Sequence, residues 1–572
     1  MFEFNDIQFN DPNWFKEGIN FIDCDAGWPF RYLPVGESQI DITTCSEDLQ
    51  KRYQAAKTRK DKLILQAESY FEKITEDSTV TDMAFCVFMQ SSIVDSSYSN
   101  WLIRDTAGRV ERGEEETGEL AVISKNRGGL PYRKHLYPDF YKDLTENGLD
   151  WAEIAIEKCA ERGIRPWLYF RMNDLHYVDL DGCPFHDSFF YKAKGNGWLI
   201  RNDAYGRPDG TSGNVKYLYN FACPEVREWM LNYIEEIILR YDAFGFGLDF
   251  MRNIYCFDYL NDTGYQECMN DFIRKIRGAI TKAEEKFGHS IKLYVRIAHT
   301  PSDNYVYGFD VETWAKEGLV DVIIASCEEV CNSNVDVDEW RKAIGKNTAF
   351  LIGCDDHVIR WLAPGAEKIY HTYEEHVKGL TASYLSRGAD GMYFNNYYTI
   401  TGTTTSENVD GAYKPTVPLA RHANREKASV GLRTLVISAQ DIAPKNCKVN
   451  DPLPVSVTGK DGCGAEFSLN IGKIRAEEYI YLTVGYSNTE NFNVNVTIDG
   501  MVPNNAEEIP VNENVITGHY YEGRALKRAD KLVRYRFENY IKEGAMSVHF
   551  ESENKSCNIV YLEISVNPDK ID

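Results

Sequence analysis

The chain has 572 residues, too many for a single core, and its 43% hydrophobic and 13% aromatic content suits a folded protein unusually rich in rings. A net charge of −24 opposes binding to nucleic acid or to anionic membranes, since both present negative charge. The first residues (Met1, Phe2, Glu3, Phe4) have neither a basic start nor an apolar core, and no apolar run of about 18 residues occurs, so neither an export signal nor a membrane span is expected.

From residue 15 to about 440, short apolar runs alternate with helical patterns, the signature of a parallel sheet covered by helices. Strands are expected at 18–23, 83–90 and 165–174, with a charged helix at 46–73 after the first. A helix at 149–162, closed by Gly163, precedes the third. Two long insertions interrupt this series. One covers 91–147, rich in Gly, Glu and Arg and expected to lie over the barrel mouth; the other, 175–222, reads as a loop carrying His176, His186 and Trp198. A helix at 225–240 then leads into a strand at 244–250, and a helix at 265–287 into a strand at 291–299. The alternation continues with helices at 311–316, 337–344 and 373–386 before strands at 320–326, 348–354 and 391–395, and 421–428 starts the last helix. Eight strand–helix units in order, with no G-x-G-x-x-G after the first strand, predict an α/β fold of the (β/α)8 TIM-barrel type rather than a doubly wound sheet.

After Pro444 the texture becomes all-β. Alternating segments at 466–471, 478–484, 492–498, 531–536, 546–551 and 557–565 are separated by Gly, Asn and Asp, which predicts a β-sandwich. The expected division is a catalytic barrel over 1–440 and an accessory sandwich over 441–572. Fourteen cysteines are scattered singly, several in apolar runs (Cys86, Cys223, Cys354), which reads as reduced thiols in a cytoplasmic protein. Cys327 and Cys331 have a gap that could ligate a metal, yet no second pair completes a site. No metal or other cofactor is expected.

The most informative stretch is Gly245-Phe-Gly-Leu-Asp249, a glycine-loosened strand ending on a carboxylate, with Arg252 three residues on. In a barrel, chemistry is built at the carboxyl ends of the strands. The other predicted strand ends carry Arg171, Asn173, Asp174 and nearby His176; Arg296 and His299; Ser326, Glu328 and Glu329; Asp355, Asp356 and His357; and Asn395, Asn396 and Tyr397. Trp28, Trp198 and Trp361 lie on nearby loops, while Asp23 and Asp25 read as polar lining or loop caps. Each residue alone could be a helix cap or a salt bridge. Together they form a ring of carboxylates, guanidiniums and amides edged with indoles, which suits a sugar. Glycosidic cleavage needs two carboxyls, one to protonate the leaving oxygen and one to attack or to activate water. Asp249 is the expected nucleophile, with Arg252 keeping it ionised. The acid is sought in the pairs Glu328–Glu329 and Asp355–Asp356, Glu328 first because it shares in–out parity with Val322, Ile324 and Ser326.

Three segments carry a family resemblance: the helix ending in Arg162-Gly163 before the third strand, the turn Asn220-Phe-Ala-Cys-Pro224-Glu-Val-Arg227, and the strand ending at Asp249. Over roughly 150–400 the chain resembles glycosyl-hydrolase-like TIM-barrel families whose fourth strand reads Asp-Gly-Leu-x-Leu-Asp. It departs at the first Asp of that pattern, where Ala243 or Phe244 stands. More distantly it is similar to the α-amylase and α-galactosidase clans, in which a nucleophilic Asp ends the fourth strand. The resemblance therefore implies the nucleophilic role for Asp249. Amylases place the acid on the fifth strand and α-galactosidases on the sixth. Here the fifth ends on Arg296 and His299 without a carboxylate, which favours the sixth.

The expected function is hydrolysis of an oligosaccharide or glycoconjugate, with retention of configuration. Two readings stand beside it: a non-catalytic carbohydrate-binding barrel, and a metal-dependent hydrolase or lyase using His299, His357 and Asp355. The expected partner is a carbohydrate, not nucleic acid or membrane, and a homo-oligomer stays open.

Overall fold

The computed structural model describes residues 9–16, 18–24, 42–75, 79–89, 91–99, 143–174, 187–201, 212–326, 331, 333, 335–354, 357–359, 370–395, 423–437, 453–458, 464–488, 493–511, 516–517, 527–552 and 556–569. Strand β1 (Ile19–Cys24) is buried along its whole length, as a barrel strand must be with packed side chains inside and helices outside. It pairs in parallel with β2 (Asp82–Met89), and the series continues through β3 (Arg165–Arg171), β4 (Gly245–Asp249), β5 (Lys292–Ile297), β6 (Val322–Ala325) and β7 (Ala349–Cys354). The last strand, β8 (Gly391–Phe394), pairs with both β7 and β1, which closes the cylinder. The eight-stranded parallel barrel expected from the alternation is thus present, and every expected strand falls on an observed one.

The first covering helix is two helices, α1 (Glu47–Ala55) and α2 (Arg59–Thr75), rather than one. Ala56 turns to extended backbone, and Thr58 accepts the amide of Asp61 to start the next helix. Arg52 and Glu68 then join the pair through two hydrogen bonds of 2.7 and 2.8 Å. α3 (Trp151–Ala160) is capped by the Asp150 carboxylate at its start. The stretch expected as a plain loop over 175–222 contains α4 (Ser188–Asn196), started by the Asp187 side chain and stopped by left-handed Gly197. α5 (Pro224–Arg240) has proline in its first turn and no side-chain cap; the turn before it is fastened by Asn220, whose side chain accepts from Ala222 N. α6 (Tyr265–Phe287), α7 (Pro301–Tyr307), α8 (Val311–Lys316), α9 (Val337–Ile344) and α10 (Glu374–Arg387) complete the cover, followed by the single turn α11 (Arg425–Ala428). Among the described residues no helix is long and apolar enough to cross a membrane.

The interior of the barrel is aromatic. Phe21 lies 5.2 Å from Trp167, 5.4 Å from Tyr294 and 5.1 Å from Tyr393, centroid to centroid. The glycines of β4 are what admit these rings. A Cβ on Gly245 would stand 2.3 Å from the Trp167 ring, and one on Gly247 2.0 Å from the Tyr294 ring. Both separations are far below van der Waals contact, in an interior packed as densely as a crystal. Gly247→Ala should therefore lower stability by about 1–3 kcal/mol through overpacking, read as a shift in urea midpoint. An unchanged midpoint would mean that Tyr294 can move aside, contrary to its tight seat.

β9 (Arg433–Ile437) leaves the barrel and enters an antiparallel sheet with β10 (Val455–Val457) and four later strands. β11 (Ala465–Leu469), β12 (Tyr479–Ser487), β13 (Val494–Ile498) and β14 (Asn505–Ile509) come next in the chain, then β15 (Lys531–Phe537), β16 (Met546–Ser552) and β17 (Cys557–Asn567). One sheet runs β9-β17-β12-β15-β14 with β10 beside β17, and the other runs β11-β16-β13. β16 alternates buried and outer residues along its length, the pattern of a sheet with one covered face. This C-terminal β domain is held against the barrel at α10. A Cβ on Gly379 would stand 2.2 Å from the Thr434 carbonyl oxygen, so helix and strand touch backbone to backbone. Next to that contact, wholly buried Arg433 grips Glu478 at 2.8 and 3.1 Å and donates to the Ile471 and Gly431 carbonyls.

Candidate functional site

β4 ends on Asp249, which is 1% exposed. Its Oδ1 accepts the amide hydrogen of Met251 at 2.8 Å, a short local bond made as the strand stops. Arg296 stands opposite it in the register between β4 and β5, with Nη1 3.3 and 3.2 Å from the two carboxylate oxygens. Arg296 Nε is 3.2 Å from Ser326 Oγ, so the parity that turns Ser326 inward is as expected. The guanidinium seen to meet Asp249 is that of Arg296, a contact the sequence reading did not anticipate. The reason is geometric. The neighbouring strand offers an inward-facing residue at the same height.

A second carboxyl belongs to the same cluster. Phe21 and Asp23 share the inward face of β1, and the Tyr393 hydroxyl donates to Asp23 Oδ2 at 2.6 Å. Complete burial pushes the Asp23 carboxyl from 3.8 up to about 6. The Tyr393 hydrogen bond and the charges of Arg296 and Arg171 act against that rise, and the charge of Asp249 adds to it. Burial also pushes the Tyr294 and Tyr393 phenols well above their ordinary range, so both rings stay neutral and Tyr393 stays a donor. The sequence presents Asp23 only as polar lining. Its one signal there is its parity with Ile19 and Phe21, in a strand with no residue left for solvent.

The remaining expected residues divide into three groups. Arg171 is brought in, 1% exposed and 3.4 Å from Asp174, so these two candidates pair with each other beside the centre. His299 and Asn395 are buried at the ends of β5 and β8, and Trp340 donates to the His299 carbonyl at 2.7 Å. Asn173 makes its hydrogen bonds within the fold. Its amide nitrogen donates to the Tyr219 and Tyr255 carbonyls and its oxygen accepts from Tyr219 N, so it braces two segments against each other. Trp198 packs on Phe189, which in turn stacks on Trp229 at 4.1 Å, and so belongs to the seat of α4. His176, Glu328, Glu329, Asp355, Asp356, Trp361 and Asn396 lie outside the described residues, as do Trp28, Asp25, His186 and Tyr397. His357 falls in a short strand, with its side chain outside them. Among the described residues no group of three or more His, Cys, Asp or Glu is placed to hold a metal ion.

The centre can thus hold two carboxyls of unlike character around one guanidinium: Asp249 in direct contact with Arg296, and Asp23 hydrogen-bonded by Tyr393 with a raised affinity for its proton. That asymmetry is the usual basis for dividing acid and base roles.

No protein-family model matches this chain, and no curated protein matches it. Among solved structures, the chitinase ChiW from Paenibacillus sp. str. FPU-7 is 10% identical, with 83% of this chain and 49% of that chain covered and a TM-score of 0.31. The chain therefore spans about half the length of that chitinase. The catalytic domain of the GH30 xylanase C from Talaromyces cellulolyticus is 10% identical over 96% of this chain and 97% of that one, with a TM-score of 0.31. An α-amylase from H.orenii is 12% identical over 94% and 100%, with a TM-score of 0.32. At these scores the barrel rests on its own strand pairings rather than on the likeness.

Proposed function

We propose that this chain is a glycoside hydrolase in which Asp249 attacks, or activates water at, the anomeric carbon of a bound sugar. The observation that supports the reading is the Asp249–Arg296 pair at the carboxyl end of β4, within a ring of buried polar groups from β1, β3, β5 and β8. In this reading a carboxyl from Glu328, Asp355 or their neighbours supplies the leaving-group proton. Arg171, Asp174, His299 and Asn395 offer hydrogen bonds to sugar hydroxyls. Retention of configuration follows if the two carboxyls stand about 5–5.5 Å apart. The described cysteines are all free thiols, which suits action in a reducing cytoplasm, and the C-terminal β domain, which β9 opens at Arg433, is assigned an accessory role.

Asp249→Asn should reduce turnover of a cleavable aryl glycoside by at least ~10³-fold, measured below the thermal midpoint of the variant, which falls because the buried Arg296 guanidinium loses its partner. Wild-type-like rates in that variant would sink the assignment. The 1% exposure of Asp249 favours a second reading, a barrel that binds carbohydrate without cleaving it. Saturable oligosaccharide binding by calorimetry, with no product from any glycoside tested, would decide for the second.

A further inference from the structure

We infer that Asp23 is a positioning residue that carries the exchangeable proton of this centre, and that Tyr393 and Arg296 couple its state to Asp249. The inference deepens the glycoside hydrolase reading and rests on it for its catalytic meaning. Its physical content stands on the geometry of the barrel.

The contacts form one line across the interior. Tyr393 donates to Asp23 at 2.6 Å, the same Tyr393 ring lies 5.9 Å from the Arg296 guanidinium, and Arg296 meets both oxygens of Asp249. Asp23 is fully buried, so its charge is screened little by water and is felt by groups on distant strands. Among the described residues, the titratable and charged groups that face it are Tyr393 from β8, Tyr294 and Arg296 from β5, Arg171 from β3, itself paired with Asp174, and Asp249 from β4. The tyrosines stay neutral, and Arg171 is paired with Asp174, so among the described residues Arg296 is the guanidinium between the carboxyls of Asp23 and Asp249. With Asp23 protonated, Arg296 faces the charge of one member of this pair, Asp249. With Asp23 ionised, Arg296 faces the charges of both. A single proton on Asp23 therefore changes how strongly Arg296 is committed to Asp249, without any group having to move.

Coupling has a sign that a merely structural aspartate would not show. The charge of Asp249 raises the proton affinity of Asp23, and that of Arg296 lowers it. The full chain labelled with ¹³C at aspartate carboxyls, titrated by difference infrared spectroscopy against Asp23→Asn, should show one buried carboxyl with a midpoint at about 6. In Asp249→Asn that midpoint should fall. In the double variant Asp249→Asn, Arg296→Gln, made so that no buried charge is stranded if Arg296→Gln alone fails to fold, it should recover part of the drop. A midpoint indifferent to Asp249→Asn, or absence of any carboxyl titrating near 6, overturns the inference. If the protein hydrolyses no glycoside but these shifts appear, the functional reading fails and the proton assignment stands. If it does hydrolyse one, the pH profile of turnover should bend at about 6, and Asp23→Asn should remove the bend. An unchanged bend in that variant counts against the inference.

Discussion

Replacing Arg296 with methionine is expected to cost about 3–5 kcal/mol of stability, the usual penalty for removing one partner of a buried ion pair. Both partners are almost inaccessible, with side chains 2% and 1% exposed. Without the guanidinium, Asp249 keeps only the hydrogen bond from Met251 among its described partners. Asp23 loses a nearby positive charge as well, and Ser326 loses the donor at its hydroxyl. The penalty belongs to the stranded carboxylate rather than to the missing contact. Adding Asp249→Asn to Arg296→Met should therefore restore a substantial part of the loss, because nothing charged is then left unpaired. Urea unfolding of wild type, both single variants and the double variant gives the coupling energy. A double variant no more stable than Arg296→Met alone would mean that the burden lies elsewhere.

Asp23→Asn is expected to stabilise the protein at neutral pH and to leave it unchanged in acid. The folded-state value for Asp23, about 6, lies above the ordinary 3.8, so the native state binds this proton more tightly than the unfolded chain does. The stability this proton brings is complete below the ordinary value and is lost as pH rises through the folded one. Above about pH 6 the loss levels off at ~3 kcal/mol, because each tenfold gain in proton affinity is worth about 1.4 kcal/mol. Asparagine cannot ionise and can still accept from Tyr393. The gain of Asp23→Asn over wild type should therefore grow between the two values and be flat on either side. Chemical denaturation at a series of pH values tests this directly, and a pH-independent difference would remove Asp23 from the account. A carboxyl that weakens the fold at neutral pH, placed where barrel chemistry is built, is better explained by use than by packing.

Much of the architecture was legible because its causes are local. The eight strands follow from apolar runs and the end of the helix before the third strand from Gly163, whereas α4 was missed although its caps, Asp187 and Gly197, are equally local. Gly245 and Gly247 were readable as a need for room, although which rings required it was not. The Arg296 brace on Asp249 was not legible, because its cause is not local. Arg296 is distant in sequence and meets Asp249 because the two face each other across the sheet.

The sequence by itself determined that a barrel would form and that Asp249 would stand where its fourth strand ends, because period, punctuation and strand length are short-range properties. The tertiary structure alone decided that Arg296, 47 residues away, would hold Asp249, and that Tyr393, 370 residues away, would hold Asp23. It also decided that Asp23 would keep its proton to about pH 6, since that value comes from burial and from charges on three other strands. Those are properties of the closed cylinder, and no stretch of chain carries them before the first and eighth strands meet.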